Sequence, residues 1–348
     1  MNALLFALLL SVSGPETSIP VHDLGDLALV PVRDGFVIAW SDGPRIYTEQ
    51  LDANLQATNA PFSFPLVVPS SVTSLALASN GTSVLVTWHE LRASNGEAQY
   101  AAILDSGARS IIAGPLFMEV ATQPPAAGVK NGKYRVVVAS QVWTLDDHLT
   151  IDSSDVLPDG SSAAFSPAGE MGIANRTTSV RCQSGGFGMP WQACNYDEAV
   201  TFTAPAGRSG FSFQWRTFLQ NNQWLVKETD PLLRPPLIGP HGAGFVGAVV
   251  TADGAKVSEV RDGGRTWTTA MPLLAIAGNG NDVLAIWRDS LGLRAMFLGN
   301  EPFTLSDDGD VPKIVPSGSN AFGVLFRRDA SIVARKVSVQ APRGRAVR

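Results

Sequence analysis

Three apolar runs in this sequence end on a tryptophan with a carboxylate two residues further on. They are Trp40-Ser41-Asp42, Trp88-His89-Glu90 and Trp287-Arg288-Asp289. A ring supplies apolar contact area and an acid supplies a directional acceptor, so the pair suits recognition of a ligand. If the three segments are equivalent parts of a repeat, Trp40, Asp42, Trp88, Glu90, Trp287 and Asp289 line one shared surface. Ordinary loop polarity accounts for them equally well. A second cluster is Ser306-Asp307-Asp308-Gly309-Asp310. Asp307, Asp308 and Asp310 resemble half a calcium loop, because a hard cation wants clustered carboxylate oxygens. The full alternating spacing and a downstream bidentate Glu are lacking, so an acidic turn is expected, with no cofactor. Tyr196-Asp197-Glu198 is a third group of interest, lying beside Cys194.

No complete catalytic constellation accompanies these groups. The four histidines, His22, His89, His148 and His241, are far apart, and no zinc-protease spacing, nucleophile elbow or phosphate loop is present. Cys182 and Cys194 are the only cysteines, and neither has a second Cys or His at metal spacing. In an oxidising compartment they are expected to form one disulfide closing a Gly-rich loop. Two free buried thiols is the other reading.

The composition bounds what carries these residues. The chain has 348 residues, 45% apolar and 16% charged, with 33 Gly and 23 Pro. That is too apolar for a disordered chain and too poor in cysteine for a disulfide scaffold. No apolar run approaches the roughly 20 residues of a membrane span. Net charge is −5 without a basic stripe, which argues against nucleic acid as a partner. Ala3 to Leu10 reads as the apolar region of a signal peptide over residues 1–14, with small residues following it. Its weak point is an initial segment without Lys or Arg. A secreted or periplasmic protein is expected. The last eight residues, 341–348, carry Arg343, Arg345 and Arg348 and read as a frayed basic tail.

Between those ends, residues 15–340 are organised by a repeat. A short alternating strand, a Gly/Asn/Asp turn and a second apolar strand recur, as in LALVPVRDGFVIAW ending at Trp40 and LALASNGTSVLVTW ending at Trp88. Further copies end at Ala139, Asn175, Trp215, Val249, Trp287 and Phe326, a mean spacing of about 41 residues. Gly or Pro interrupts nearly every window, which leaves no room for an amphipathic helix of about 12 residues. Trp215 to Asp230 is free of both, but Asn221-Asn222 favours a hairpin there. Four strands at this period is the blade of a β-propeller. An all-β propeller of eight four-stranded blades is therefore expected, with seven as the alternative if the degenerate copy ending at Val249 merges into its neighbour. The last copy has three good strands, so the stretch Thr17 to His22 is expected to supply the fourth and close the ring.

GFVIAWSDGPRIYTEQLDANLQ resembles the blades of secreted bacterial propellers, a likeness of fold rather than chemistry. VRDGGRTW, Val260 to Trp267, resembles the Asp-box of sialidases and related propellers. Asp262, Gly264 and Trp267 match it, while Val260 replaces the hydroxyl residue. The resemblance implies a structural turn in which the Asp caps backbone N–H groups, Gly264 takes a left-handed conformation and Trp267 packs beneath. The sialidase aromatic-Arg-Ile-Pro segment is not found; Tyr134-Arg135-Val136-Val137 is nearest and lacks the proline. The favoured function is a monomeric binding or scaffold module for an extracellular glycan or protein, without catalysis. A sialidase-like glycoside hydrolase is the alternative.

Overall fold

Alternating and continuous apolar runs punctuated by Gly, Pro and Asn leave strands as the only regular element, and every element among the described residues is a strand. The structure is a computed structural model. It describes residues 10–12, 16–68, 70–92, 96–120, 123–158, 161–184, 191–220, 223–226 and 232–339. The leader's residues 1–9 and the basic tail lie outside the described residues.

The strands form antiparallel sheets that follow the chain, over residues 24–65, 72–120, 127–156, 161–226, 237–269, 273–306 and 310–339. The first strand of each lies beside the first strand of the next, and Asp310–Pro316 returns to Leu24–Val32. Seven blades thus surround an axis, and the expectation of an all-β propeller holds. The count is the alternative seven rather than eight. The merged copy is not the one ending at Val249, which is a genuine second strand, Gly244–Thr251. It is the copy ending at Trp215. That hairpin pairs Trp191–Ala204 with Gly207–Gln220, the outer half of the fourth blade. A hairpin's local pattern is the same in the inner and outer half of a blade, which is why the sequence counts it twice.

Second strands are buried on both faces because a neighbouring blade covers each face. Phe36 to Ser41 are all buried. Val37, Ile46 and Phe64 of the first blade pack with Leu77, Val84 and Trp88 of the second. Each fully buried side chain of this size contributes about 1.5–3 kcal/mol. Closure follows the expected route: Thr17–Pro20 pairs antiparallel with Ser331–Val339, Thr17 opposite Ala334 and Pro20 opposite Ser331. Leu10–Val12, which the sequence reads as leader, extends the same edge with Leu10 opposite Val339.

The fourth blade departs from the others. Its second, third and fourth strands, Met171–Ser184, Trp191–Ala204 and Gly207–Gln220, have 14 residues each. Its inner strand, Ser161–Phe165, stops pairing at Asn175. The remaining nine residues of the second strand run on as part of a narrow sheet. At 3.3 Å per residue this arm projects about 30 Å. It leaves the ring where second strands end and the chain crosses between blades, here termed the crossover face.

Candidate binding surface

The three Trp-x-acid pairs sit where the repeat places them, at the ends of second strands on the crossover face. Trp40 is buried and stacks on Tyr47, with centroids 5.4 Å apart and planes 14° apart. Asp42 accepts the backbone N–H of His22 at 3.0 Å and of Asp23 at 2.6 Å. The indole of Trp88 donates to Glu90 Oε1 at 2.9 Å. Glu90 also accepts the N–H groups of Val67 at 2.9 Å and Val68 at 3.1 Å. The indole of Trp287 donates to Asp289 Oδ2 at 3.2 Å, and Asp289 Oδ1 accepts the N–H of Leu291 at 2.8 Å. In the second and sixth blades the ring fixes the acid and the acid fixes a loop. Asp42 and Glu90 anchor the segments crossing from one blade to the next, and each pair's hydrogen bonds stay beside its own strand. The geometry gives these acids a positioning task that leaves few lone pairs for a ligand.

Sequence reasoning missed Asp26, on the innermost strand of the first blade. It accepts the N–H of Leu75 at 2.9 Å and pairs with Lys313 Nζ at 3.1 Å, tying the inner strands of the seventh, first and second blades. The partner strands are remote in sequence, so no local signal marks it. At the opposite end of the axis a cavity of about 300 Å³ is lined by Pro31, Leu77, Val129, Phe165, Pro240 and Val315, among others. Proline removes N–H donors from inner strand edges, so this mouth is apolar and blunted.

The Asp-box-like turn lies between the third and fourth strands of the fifth blade, but its parts are used differently. Gly263, not Gly264, has the left-handed backbone, with φ 65°. Gly264 is required by close approach: a Cβ there would lie 2.6 Å from the carbonyl oxygen of Glu259. Asp262 accepts an N–H from outside the turn, that of Arg208 on the fourth blade, at 3.2 Å. Glu259 closes the turn instead, accepting Arg265 N–H at 3.2 Å, Arg265 Nε at 2.7 Å and Arg261 Nε at 2.9 Å. Burial works to raise the Glu259 pKa, but these hydrogen bonds outweigh it and hold the carboxyl at about 2. Trp267 packs against the blade core and carries the Arg265 guanidinium 5.3 Å from its ring centre.

In the acidic turn, Asp308 pairs with Arg288 at 3.2 Å and Asp310 with Arg327 Nε at 2.8 Å, while Asp307 is exposed. Two of the three carboxylates thus face guanidinium groups. Among the described residues no group of three or more His, Cys, Asp or Glu side chains converges as a metal site.

The remaining candidate is the arm. Cys182 and Cys194 form the expected disulfide, but across two paired strands where they stand directly opposite, with Cα atoms 4.0 Å apart. The Gly-rich tip, 185–190, lies outside the described residues. Side-chain alternation divides the arm into two faces. One carries Val180, Tyr196, Trp215, Phe213 and Glu198; the other carries Ser179, Arg181, Asp197, Gln214 and Arg216. Tyr196 and Trp215 stack with centroids 3.8 Å apart and planes 8° apart. Glu198, 3% exposed, is held by the Arg176 guanidinium at 2.7 and 2.8 Å and by the Thr178 hydroxyl at 2.9 Å. Asp197 accepts the Gln214 amide at 2.9 Å and lies 3.7 Å from Arg181. The expected hairpin around 221–222 is present as pairing of Gln220 with Gln223, its two turn residues lying outside the described set. Among the described residues no helix is long and apolar enough to cross a membrane.

No protein-family model and no curated protein sequence matches this chain. Among solved structures, 93% of the chain aligns with 99% of a catalytically inactive virginiamycin B lyase from Staphylococcus aureus, determined with quinupristin. The TM-score is 0.51 and the identity 12%. The β-propeller domain of the trilobed protease from Pyrococcus furiosus, described as having an open velcro topology, aligns over 92% of this chain and 97% of its own. Its TM-score is 0.49 and its identity 9%. The likeness to the lyase is one of fold: both chains are β-propellers.

Proposed function

We propose that this chain is an exported, non-catalytic propeller that scaffolds a protein partner, with the fourth-blade arm as its recognition element. The observation that carries this reading is the arm itself. Tyr196, Trp215, Arg181 and Arg216 stand on a disulfide-pinned sheet raised about 30 Å from the ring. Aromatic residues and arginine dominate the energetics of protein interfaces, and a pinned platform loses little entropy on binding. Export is supported by the apolar run Ala3 to Leu10 and by the disulfide, which belongs to oxidising compartments. The absence of catalysis is supported by how the acids are used: Glu90, Asp289, Glu198 and Glu259 are each committed to indole, backbone or guanidinium donors.

The test is photo-crosslinking of the native protein in the extracytoplasmic fraction of its host. A crosslinker at exposed Gln214 is expected to capture one discrete protein, and one at exposed Val311 on the ring is not. Charge reversal at exposed Arg216, Arg216→Glu, is expected to reduce capture at least tenfold. Equal capture from both positions, or turnover of an aryl glycoside by the purified chain, overturns the reading. The mature N-terminus is expected near residues 14–16 by mass spectrometry.

A further inference from the structure

Beyond Asn175 the second strand of the fourth blade has a neighbour on one side only. Among the described strands none pairs with the other side of residues 177–183, and all seven are exposed. An unpaired edge of this length is a template for another strand, and natural proteins blunt such edges with proline or lysine. Inner strands of this ring are blunted, by Pro31, Pro240 and Pro316. The arm edge, Thr-Thr-Ser-Val-Arg-Cys-Gln, has neither residue.

We propose that this edge pairs antiparallel with the same edge of a second copy of the chain, centred on Val180. The self-complementarity of the register selects that occupant. Antiparallel pairing about Val180 sets Thr177 opposite Gln183, Thr178 opposite Cys182 and Ser179 opposite Arg181. No like charges meet. On one face Val180, 48% exposed, meets its counterpart on the two-fold axis. The row Trp215, Tyr196, Val180 then continues through the same three residues of the second copy. On the other face, the long Arg181 side chain of the second copy lies across small Ser179 and is directed at Asp197, the residue opposite Ser179 on the next strand. Symmetry supplies this contact twice. Arg181 is already 3.7 Å from Asp197 within one chain, so an acidic foreign peptide finds its charge partly answered, whereas a second copy brings both signs. The pairing buries an isologous edge, as closed two-fold dimers require.

The experiment uses the full mature chain. Sedimentation equilibrium is expected to show a concentration-dependent species of twice the single-chain mass. Val180→Cys is expected to give a covalent dimer under mild oxidation, with the Cys182–Cys194 bridge confirmed by peptide mapping. Thr177→Cys is expected to give none, since its counterparts lie six residues apart along the paired edge, about 20 Å. Ser179→Arg, which opposes two arginines, is expected to weaken dimerisation at least tenfold. All three sites are exposed, so folding is not at issue. A chain that stays monomeric at every concentration with no Val180→Cys crosslink overturns the proposal. So does equal crosslinking at 177 and 180, or amide protection of 177–183 that appears only with a different protein. A monomer that still captures its partner through Gln214 overturns the pairing alone and leaves the scaffold role standing.

Discussion

Glu259 is buried, and its two oxygens hold both Arg261 and Arg265 together with a backbone N–H. The acid of the Asp-box-like motif, Asp262, is exposed and accepts one N–H at 3.2 Å. The sequence points to Asp262 because the motif's spacing is local, whereas the choice of Glu259 depends on how the turn folds back on its own strand. The two acids predict opposite outcomes. Glu259→Ala removes hydrogen bonds to charged donors and is expected to cost about 1–3 kcal/mol, with Asp262→Ala below about 1 kcal/mol, measured by urea unfolding. Equal costs would restore the motif's own acid to the structural role. The Glu259 carboxyl sits at about 2 in the fold against an ordinary 4.5. Its contribution is therefore complete above pH 4.5 and is lost as pH falls from there towards 2. The melting temperature of the native chain is expected to fall more steeply over that range than that of Glu259→Gln. Parallel curves would show that the carboxyl is not held low.

At the scale of elements, the second strands were legible and the arm was not. Trp40, Trp88 and Trp287 mark equivalent positions because a strand covered on both faces must be apolar throughout, and a run of that kind is visible in one sequence. The role of the acids that follow was not visible, since their partners, His22, Asp23, Val67 and Val68, lie on crossing segments with no fixed spacing from them. The fourth blade defeated the repeat count for a related reason. Its outer hairpin alternates as an inner hairpin does, and only the pairing of Ser161–Phe165 with Met171–Ser184 tells them apart. The cysteines were the one trace of the arm: residues 12 apart that oppose each other across a hairpin need two strands running well beyond the blade. Closing so short a loop contributes roughly 3 kcal/mol in the chain-entropy view. That stabilisation belongs to the arm, whose outer residues make few contacts with the ring. Cys182→Ser with Cys194→Ser is expected to raise amide exchange across 177–200 at least tenfold while moving the melting temperature of the ring by less than about 2 °C. A larger fall in melting temperature would mean that the arm and ring unfold as one unit.

The whole molecule is a ring, and its integrity turns on a strand of four residues. Thr17–Pro20 supplies the outer strand of the seventh blade, and the segment buries Ile19 and Val21 against Leu325, Ile332 and Ala334. Glu16 fastens it: its carboxylate accepts Arg335 Nε at 2.9 Å and Arg328 Nη1 at 3.2 Å. Thr17 Oγ1 reaches across to the first blade, donating to the Leu55 carbonyl at 2.6 Å. The closure is thus apolar, hydrogen-bonded and ionic together, and joins the two ends of a chain whose other blades are joined by sequence. Burial works to raise the Glu16 pKa, but the hydrogen bonds from Arg328 and Arg335 outweigh it and hold the carboxyl below its ordinary 4.5. A depressed carboxyl stabilises fully above pH 4.5 and loses that contribution as pH falls through its folded value. Glu16→Gln is accordingly expected to lower the melting temperature at pH 7 and to match the native chain near pH 3. Deleting residues 16–21 removes more. Two buried aliphatic side chains alone represent roughly 3–6 kcal/mol, a large part of ordinary domain stability. The deletion also leaves Ser331–Val339 with an unpaired outer edge. Calorimetry is expected to show a fall of at least 5 °C, and light scattering new oligomers formed through the open edge. If the shortened chain melts as before and remains dispersed, the ring holds without its closing strand and the seventh blade is stable with three.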